Sequence, residues 1–346
     1  MNNAIYPWQG EAWQQLQQMR ARLPHAILFY GAAGTGKSDF IETFAQSLLC
    51  EDVKPDGFAC GVCASCGWFS QHNHPDYRRV RPEALEDEPG SDEEEGAADA
   101  EGGKKAKAAK TPSKEIKIEQ IRALADFMNI STHRQGLRVV VLYPAEALNT
   151  PSSNALLKTL EEPPPGTVFL LASNSLDRLL PTILSRCRKF ALPMPAHDQA
   201  LAWLKGQGLA DADSWLREQG GAPLAALAQS EGGNREELDA LLQMLARPSV
   251  EGALKTAEKL SKTPLINLVA WQQRWLYDLF SYQQSGIIRY YPRYQKELAA
   301  LAGSVHTASL LRAIKGANER RIVATHPLSA KLFVEDMLLE YTSCCI

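Results

Sequence analysis

The chain has no apolar run approaching the roughly 20 residues that a membrane-spanning helix needs. It has no surplus of positive charge: its 346 residues carry 37 Lys and Arg against 40 Asp and Glu, a net charge of −3. That balance argues against a free-standing nucleic-acid binder, because such domains show a basic excess. Met1 to Gln9 offer neither a positive start nor an apolar core, so no secretory signal is expected there and the expected compartment is cytoplasmic. Cysteine is sparse, at 7 residues, and in a reducing compartment these should be thiols or metal ligands rather than disulfides. The length allows two or three domains with ample core.

What is present begins with one stretch. Ala26 to Tyr30 is apolar and reads as a buried strand, and it runs into Gly31-Ala-Ala-Gly34-Thr35-Gly36-Lys37-Ser38, the pattern G-x-x-x-x-G-K-S. A helical pattern follows from Asp39 to Cys50. The glycines let the backbone turn tightly with its N–H groups inward, and a helix N-terminus adds its positive dipole end. Lys37 suits outer phosphates and the Ser38 hydroxyl suits Mg²⁺. The alternative is an ordinary glycine-rich turn.

Cys50, Cys60, Cys63 and Cys66 come next, with two C-x-x-C steps sharing Cys63. Such a knuckle sets two thiolates on one side of a turn, and four would close a tetrahedral sphere, making a structural Zn²⁺ site the preferred reading. Redox thiols or unrelated core cysteines are the alternatives. His72 and His74 could substitute as ligands but read as loop surface. From Glu83 to Ser113 large apolar residues are nearly absent; 10 acidic residues precede 4 lysines, Lys104 to Lys110. Such a segment cannot bury enough surface to offset its ordering entropy, and a disordered insertion is expected.

A helix is expected over residues 5–24, with Trp13, Leu16, Met19 and Leu23 at helical spacing. Ile118, Ile121, Leu124 and Met128 mark another. Leu137 to Leu142 and Thr167 to Ser173 read as buried strands, with a helix over 151–162 between them and Pro151 in its first turn. A helical turn over Asp177 to Leu184 precedes a strand over Lys189 to Leu192. This alternation indicates a doubly wound parallel α/β sheet. Beyond Pro193-Met-Pro195 there is almost no strand signal, only short helices to about residue 230 and longer amphipathic ones after 235.

A phosphate-loop ATPase needs carboxylates at the end of the neighbouring strand, one for Mg²⁺ and one for the attacking water. After Leu142 come Tyr143-Pro144-Ala145-Glu146. The first two positions carry no carboxylate, and Glu146 is expected to point away from the strand end. The loop can grip phosphates while the hydrolytic half looks dismantled.

Asn154-Ala-Leu-Leu-Lys-Thr-Leu-Glu-Glu-Pro-Pro164, Leu170-Leu-Ala and Ile183-Leu-Ser185-Arg186-Cys187 occur in this order. With the cysteine segment, they resemble the bacterial clamp-loader subunits of the AAA+ ATPase class, over residues 5 to about 230. The resemblance implies an AAA+ type parallel sheet with a zinc module at about 50–66 and the insertion at about 83–113, all within residues 1–194. A helical lid over 195–233 and an all-α collar for oligomerisation over 234–346 would follow, the collar resembling the family by class and by His326-Pro-Leu328.

In the family's ATPase members the residues at Tyr143 and Pro144 are Asp and Glu. The γ-phosphate sensor falls at Asn174, and the lid arginine falls near Pro223 and is missing. Arg186 falls on the arginine finger that reaches a neighbour's nucleotide in trans. The alternative for Arg186 is a surface ion pair.

The resemblance thus implies a non-hydrolysing stator in a hetero-oligomeric ring with gamma/tau ATPase subunits and delta. The ring opens a sliding clamp and places it on primer-template DNA for a DNA-directed DNA polymerase holoenzyme; no membrane is involved. Because Gly31 to Ser38 is complete, ATP/Mg²⁺ binding without hydrolysis remains open. Two competing readings are an ATP-hydrolysing subunit that repurposes Glu146 and a zinc-stabilised nucleic-acid binder acting alone.

Overall fold

The computed structural model describes residues 5–86, 112–130, 132–133, 136–324 and 329–345. The chain separates into two compact units, Met1–Met194 and Pro195–Ile346. The heart of the expected insertion, residues 87–111, and the segment His326-Pro-Leu328 lie outside the described residues. The insertion's described flanks are tied together: Glu83 accepts from the Ser113 amide at 3.1 Å and pairs with Lys117 at 2.5 Å.

In the first unit α1 (Gly10–Met19) is flanked by 3-10 turns at Pro7–Gln9 and Arg20–Arg22, so the helix expected over 5–24 is three pieces. There follow β1 (Ala26–Tyr30), α2 (Lys37–Leu49), α3 (Ala64–Ser70), β2 (Tyr77–Val80), α4 (Ile118–Asn129), β3 (Arg138–Leu142), α5 (Thr150–Glu161), β4 (Thr167–Ser173), α6 (Pro181–Arg186) and β5 (Arg188–Ala191). The strands pair in the order β2-β3-β4-β1-β5, all parallel. With helices on both faces this is the doubly wound parallel α/β sheet expected from the sequence.

Side chains alternate across each strand, and the alternation sorts them into two cores. Ile27, Phe29, Val139, Val141, Leu170 and Ala172 join Trp13, Leu16, Phe40 and Phe44 of α1 and α2. Leu28, Val140, Leu142, Phe169 and Leu171 join Ile121, Leu124, Leu156 and Ile183 of α4, α5 and α6. Central strands buried on both faces explain the continuous apolar runs. One residue breaks the pattern. Arg138 opens β3 yet is almost wholly buried, where its guanidinium caps the end of α4, donating to the Met128 carbonyl at 2.8 Å and to that of Ile130. The turn expected over Asp177 to Leu184 divides into a 3-10 turn at Leu176–Arg178 and α6.

The second unit is helical throughout its described residues. α7 (His197–Gly206), α8 (Ala212–Glu218) and α9 (Pro223–Glu231) share a small core of Ala200, Leu204, Leu216 and Ala226. α10 (Arg235–Ala246), α11 (Val250–Lys259), α12 (Leu265–Ser285), α13 (Gln295–Ser304), α14 (Thr307–Val323) and α15 (Ala330–Cys345) enclose a larger one around Trp271, Trp275, Tyr291 and Tyr341. Three of these aromatics have paired polar ends, and the Tyr291 hydroxyl donates to the Trp271 carbonyl at 3.3 Å. Trp275 Nε1 donates to Tyr341 Oη at 2.8 Å, and that hydroxyl donates to the Leu245 carbonyl at 2.8 Å. Glu218, 1% exposed, ties α8 to Arg235 at 2.9 Å and Arg293 at 2.7 Å. No helix among the described residues is long and apolar enough to cross a membrane.

Asp278 on α12 is fully buried, and its carboxylate accepts from the amides of Arg289, Tyr290 and Tyr291 at 2.8–3.1 Å. Burial pushes its pKa up, and the three amides oppose that. Asp278→Ala would leave these amides without acceptors. Urea unfolding of that variant is expected to show a loss of about 1–3 kcal/mol, since the Tyr291 amide is the buried one of the three and a buried unpaired donor costs about 1–3 kcal/mol; a loss below about 0.5 kcal/mol would contradict the role, being within the range of ordinary surface changes.

Candidate nucleotide and metal sites

Parallel pairing places the ends of β1, β3 and β4 on one edge of the sheet, where α/β folds bind ligands. The phosphate loop leaves β1 there. A Cβ on Gly31 would lie 2.1 Å from the Leu192 carbonyl oxygen, and one on Gly36 would lie 2.3 Å from the Tyr6 ring. Gly36 also has φ +80, in the left-handed region, so no other residue fits there without strain. α2 starts at Lys37, two residues earlier than its apolar pattern shows, and the loop joins it directly.

The opening residues clasp the outside of this loop. Gln9 donates to the carbonyls of Thr35 at 3.0 Å and Gly36 at 2.9 Å, and the Trp8 indole donates to Thr35 at 3.0 Å. The Tyr6 hydroxyl donates to Asp39 at 2.7 Å while its ring stacks on Trp8. Thr35 Oγ1 and Lys37 Nζ both donate to the Ala32 carbonyl, at 3.0 and 2.5 Å. Lys37 is 6% exposed, and burial lowers its pKa to about 8, opposed by the charge of Glu146. Ser38 Oγ lies 3.5 Å from Asp39.

At the end of β3 the side chains take other partners. Tyr143 Oη donates to Glu42 of α2 at 3.0 Å, and Glu42 lies 3.5 Å from Arg79. Burial, with the Glu42 charge, pushes the Tyr143 pKa up to about 12, so the hydroxyl stays protonated. Glu146 departs from expectation. A 3-10 turn over Ala145–Ala147 brings it back across the sheet edge, where it accepts from the Asn174 amide at 3.1 Å and from Asn174 Nδ2 at 2.9 Å. It therefore faces the loop side, and the spacing of the strand alone could not show this.

Arg186 ends α6. It donates to the Thr182 carbonyl at 3.0 Å and pairs with Glu161, and both side chains are partly exposed. Pro223 is the first residue of α9 and is buried there. In the second unit Arg217 pairs with Asp213 at 2.8 Å, and Arg235 with Glu218.

The four cysteines meet. The Sγ atoms of Cys50, Cys60, Cys63 and Cys66 all lie within 4.8 Å of one another. Cys50 and Cys63 are 4.0 Å apart, and Cys60 and Cys66 are 3.9 Å apart. Metal–sulfur bonds of about 2.3 Å in a tetrahedron set sulfurs roughly 3.8 Å apart, so the cluster fits and could hold a metal ion. α2 stops at Leu49, which leaves Cys50 extended and free to turn toward the others. Cys63 caps α3 and accepts from the Cys66 amide at 3.4 Å; the Val62 and Cys63 amides point at Cys60 Sγ from 3.4 and 3.3 Å. Those amides pull the Cys60 pKa down to about 7, whereas burial raises Cys50 and Cys66.

His72 is exposed, but His74 is not the surface residue expected. It is buried, its Nε2 lies 2.8 Å from Ser65 Oγ and its Nδ1 accepts from the Asp76 amide at 3.0 Å. The Ser65 hydroxyl itself donates to the Leu49 carbonyl, so His74 braces the knuckle from behind. The short His-Pro-Asp-Tyr segment could have flagged this, since Tyr77 begins a strand and leaves His74 facing inward.

The family model for DNA polymerase III, delta subunit, matches residues 8–196, more than half of the chain. DNA polymerase III subunit delta' of Pseudomonas aeruginosa is 36% identical over 81% of this chain and 78% of its own length. The subunit of the same name in Escherichia coli is 31% identical over 70% of this chain and 65% of its own length. Among solved structures, a DNA polymerase III gamma subunit-related protein from Thermotoga maritima aligns over 96% of this chain and 99% of its own, at 17% identity and a TM-score of 0.44. By the extent of the family match and its identity to these relatives, the chain belongs to the DNA polymerase III delta-prime subunit family.

Proposed function

We propose that the chain is a largely non-hydrolysing stator of a clamp-loader ring, assembled with gamma/tau ATPase subunits and delta. It lends Arg186 to the neighbouring subunit's ATP site while the ring loads a sliding clamp on primer-template DNA. The observation that carries this reading is the end of β3. The position that would hold Mg²⁺ is Tyr143, and its hydroxyl is committed to Glu42, while Pro144 offers no base. An isolated chain of this kind has the phosphate grip without the groups that polarise water.

Arg186 supports the reading through what it stands to lose. Its partner Glu161 is on the surface, and exposed pairs contribute only about 0–1 kcal/mol. Exchange for a partner subunit's phosphate oxygens, which guanidinium groups bind in a bidentate fork, is therefore favourable. Arg186→Ala in a reconstituted ring should leave assembly intact and lower DNA-stimulated ATP hydrolysis by at least tenfold, against roughly 10³–10⁵ for the strongest fingers; an unchanged rate would remove the finger role.

Gly31, Gly34, Thr35, Gly36, Lys37 and Ser38 would hold ATP with Mg²⁺, and Asn174 would reach the terminal phosphate once released by Glu146. One observation favours a second reading, a weak ATPase of its own. Glu146 lies beside Asn174 and near enough to Lys37 to oppose the lowering of its pKa.

Binding has a pH signature. Free Lys37, with a pKa near 8, is largely neutral at pH 9; triphosphate anions favour its charged form, so binding takes up a proton there. Calorimetry in buffers of unlike ionisation enthalpy should show uptake at pH 9 and little at pH 7. Affinity should weaken toward about tenfold per pH unit above 8; affinity constant from pH 7.5 to 9.5 would contradict the burial of Lys37.

Cys50, Cys60, Cys63 and Cys66 would hold a structural Zn²⁺, with the inward amides offsetting thiolate charge. Metal analysis of the purified protein should give one zinc per chain. Cys63→Ser should lose it and unfold the first unit at lower temperature; metal-free wild-type protein of unchanged stability would refute the site.

A further inference from the structure

A cavity of about 430 Å³ opens on the second unit between α12 and α14. It falls within the size range of ligand pockets. Its floor is apolar, from Ala270, Leu276, Ile314 and Ala317. Tyr277 and Tyr290, in edge contact at 5.6 Å, wall one end. Its charged lining residues are both arginines, Arg274 on α12 and Arg321 on α14. Ala270, Gln273, Arg274 and Tyr277 are spaced as one helix face, and so are Ile314, Ala317, Asn318 and Arg321, so the lining is two facing helix stripes rather than a chance gap.

The arginines have no carboxylate partner among the described residues. Arg274 donates to the neutral amide of Gln219 at 2.9 Å, and Arg321 reaches the Gln273 amide at 3.5 Å. The neighbouring acids are committed elsewhere. Asp278 takes the amides of residues 289–291, Glu319 lies beside Lys315 at 3.8 Å, and Glu218 holds Arg235 and Arg293. Arg289 adds positive charge at the rim, with its guanidinium 5.9 Å from the centre of the Tyr277 ring. In a chain of net charge −3, this is a cationic cleft over an apolar floor.

We infer that this cleft docks a short acidic segment of a partner protein, with carboxylates on Arg274 and Arg321 and one large apolar side chain between them on the floor. Arginine presents a planar fork that matches a carboxylate, and the tyrosines supply rigid contact area around an anchor. The apolar lining between the two arginines favours a side chain over a nucleic-acid backbone, which would want a continuous basic track.

The test uses the full chain and a fluorescein-labelled ten-residue peptide of Asp and Glu around a central Phe-Leu, read by anisotropy. Saturable binding is expected, weakening with added salt, and lost when Phe-Leu is replaced by Ser-Ser. Arg321→Glu should weaken it at least fivefold with an unchanged unfolding temperature. Because Arg274 also holds Gln219, the exposed Arg321 is the deciding position and Arg274→Glu the supporting one. Absence of saturation to about 1 mM, the weakest affinity of interest, would overturn the inference. So would equal binding by Arg321→Glu, or tighter binding of a ten-residue oligothymidylate through the same arginines.

Discussion

Parallel pairing of β1 with β4, and of β4 with β3, puts three strand ends on one edge, and the proposed nucleotide site of the first unit depends on that edge. The loop after β1 holds its tight course because two glycines let the backbone approach Leu192 and Tyr6. The residue after β4, Asn174, is already held toward the same edge by Glu146. The residue after β3 is Tyr143, which turns to α2 instead. A tyrosine hydroxyl that donates to a carboxylate and stays protonated cannot stand in for a metal-binding aspartate. On the proposed reading, the sheet that would cradle a nucleotide thus withholds the carboxylates that hydrolysis needs.

The surroundings of that edge are built to hold their shape without ligand. Gln9, Trp8 and Tyr6 hold the outer face of the loop, and Lys37 and Thr35 hold its inner carbonyl. Behind the loop's helix, the cysteine cluster closes on the end of α2, braced by the Ser65–His74 contact. In the second unit Glu218 fixes α8 to the helical core through two arginines, and Asp278 fixes the turn after α12. Such fully satisfied buried polar groups rigidify a fold, whereas partly satisfied ones would loosen it. The proposed role, in which a stator presents an arginine to a neighbour, would call for this kind of rigidity.

Much of this was legible in the residues themselves. The buried strands stood out because both faces are covered, and the phosphate loop because its glycines, Lys37 and Ser38 sit between a strand and a helix. The four cysteines announced their meeting by spacing. What escaped notice depends on tertiary contact. Arg138 falls inside the run expected to be a buried strand, and nothing in its spacing shows that its charge is buried to cap α4. His74 looks like loop surface until Ser65 is brought beside it. Glu146 was expected to leave the site, and only the 3-10 turn after β3 returns it. The broken helix over 5–24 has the same origin, since Pro7 to Gln9 serve the loop rather than the helix.

The central claim is that the chain grips nucleotide without turning it over. The most direct measurement is ATP binding and single-turnover hydrolysis by the purified chain alone, with Lys37→Ala beside it. Saturable binding that Lys37→Ala abolishes, with no hydrolysis above the uncatalysed background, is the predicted result. Hydrolysis by the isolated chain that disappears with Lys37→Ala would contradict it and assign the chemistry to Glu146.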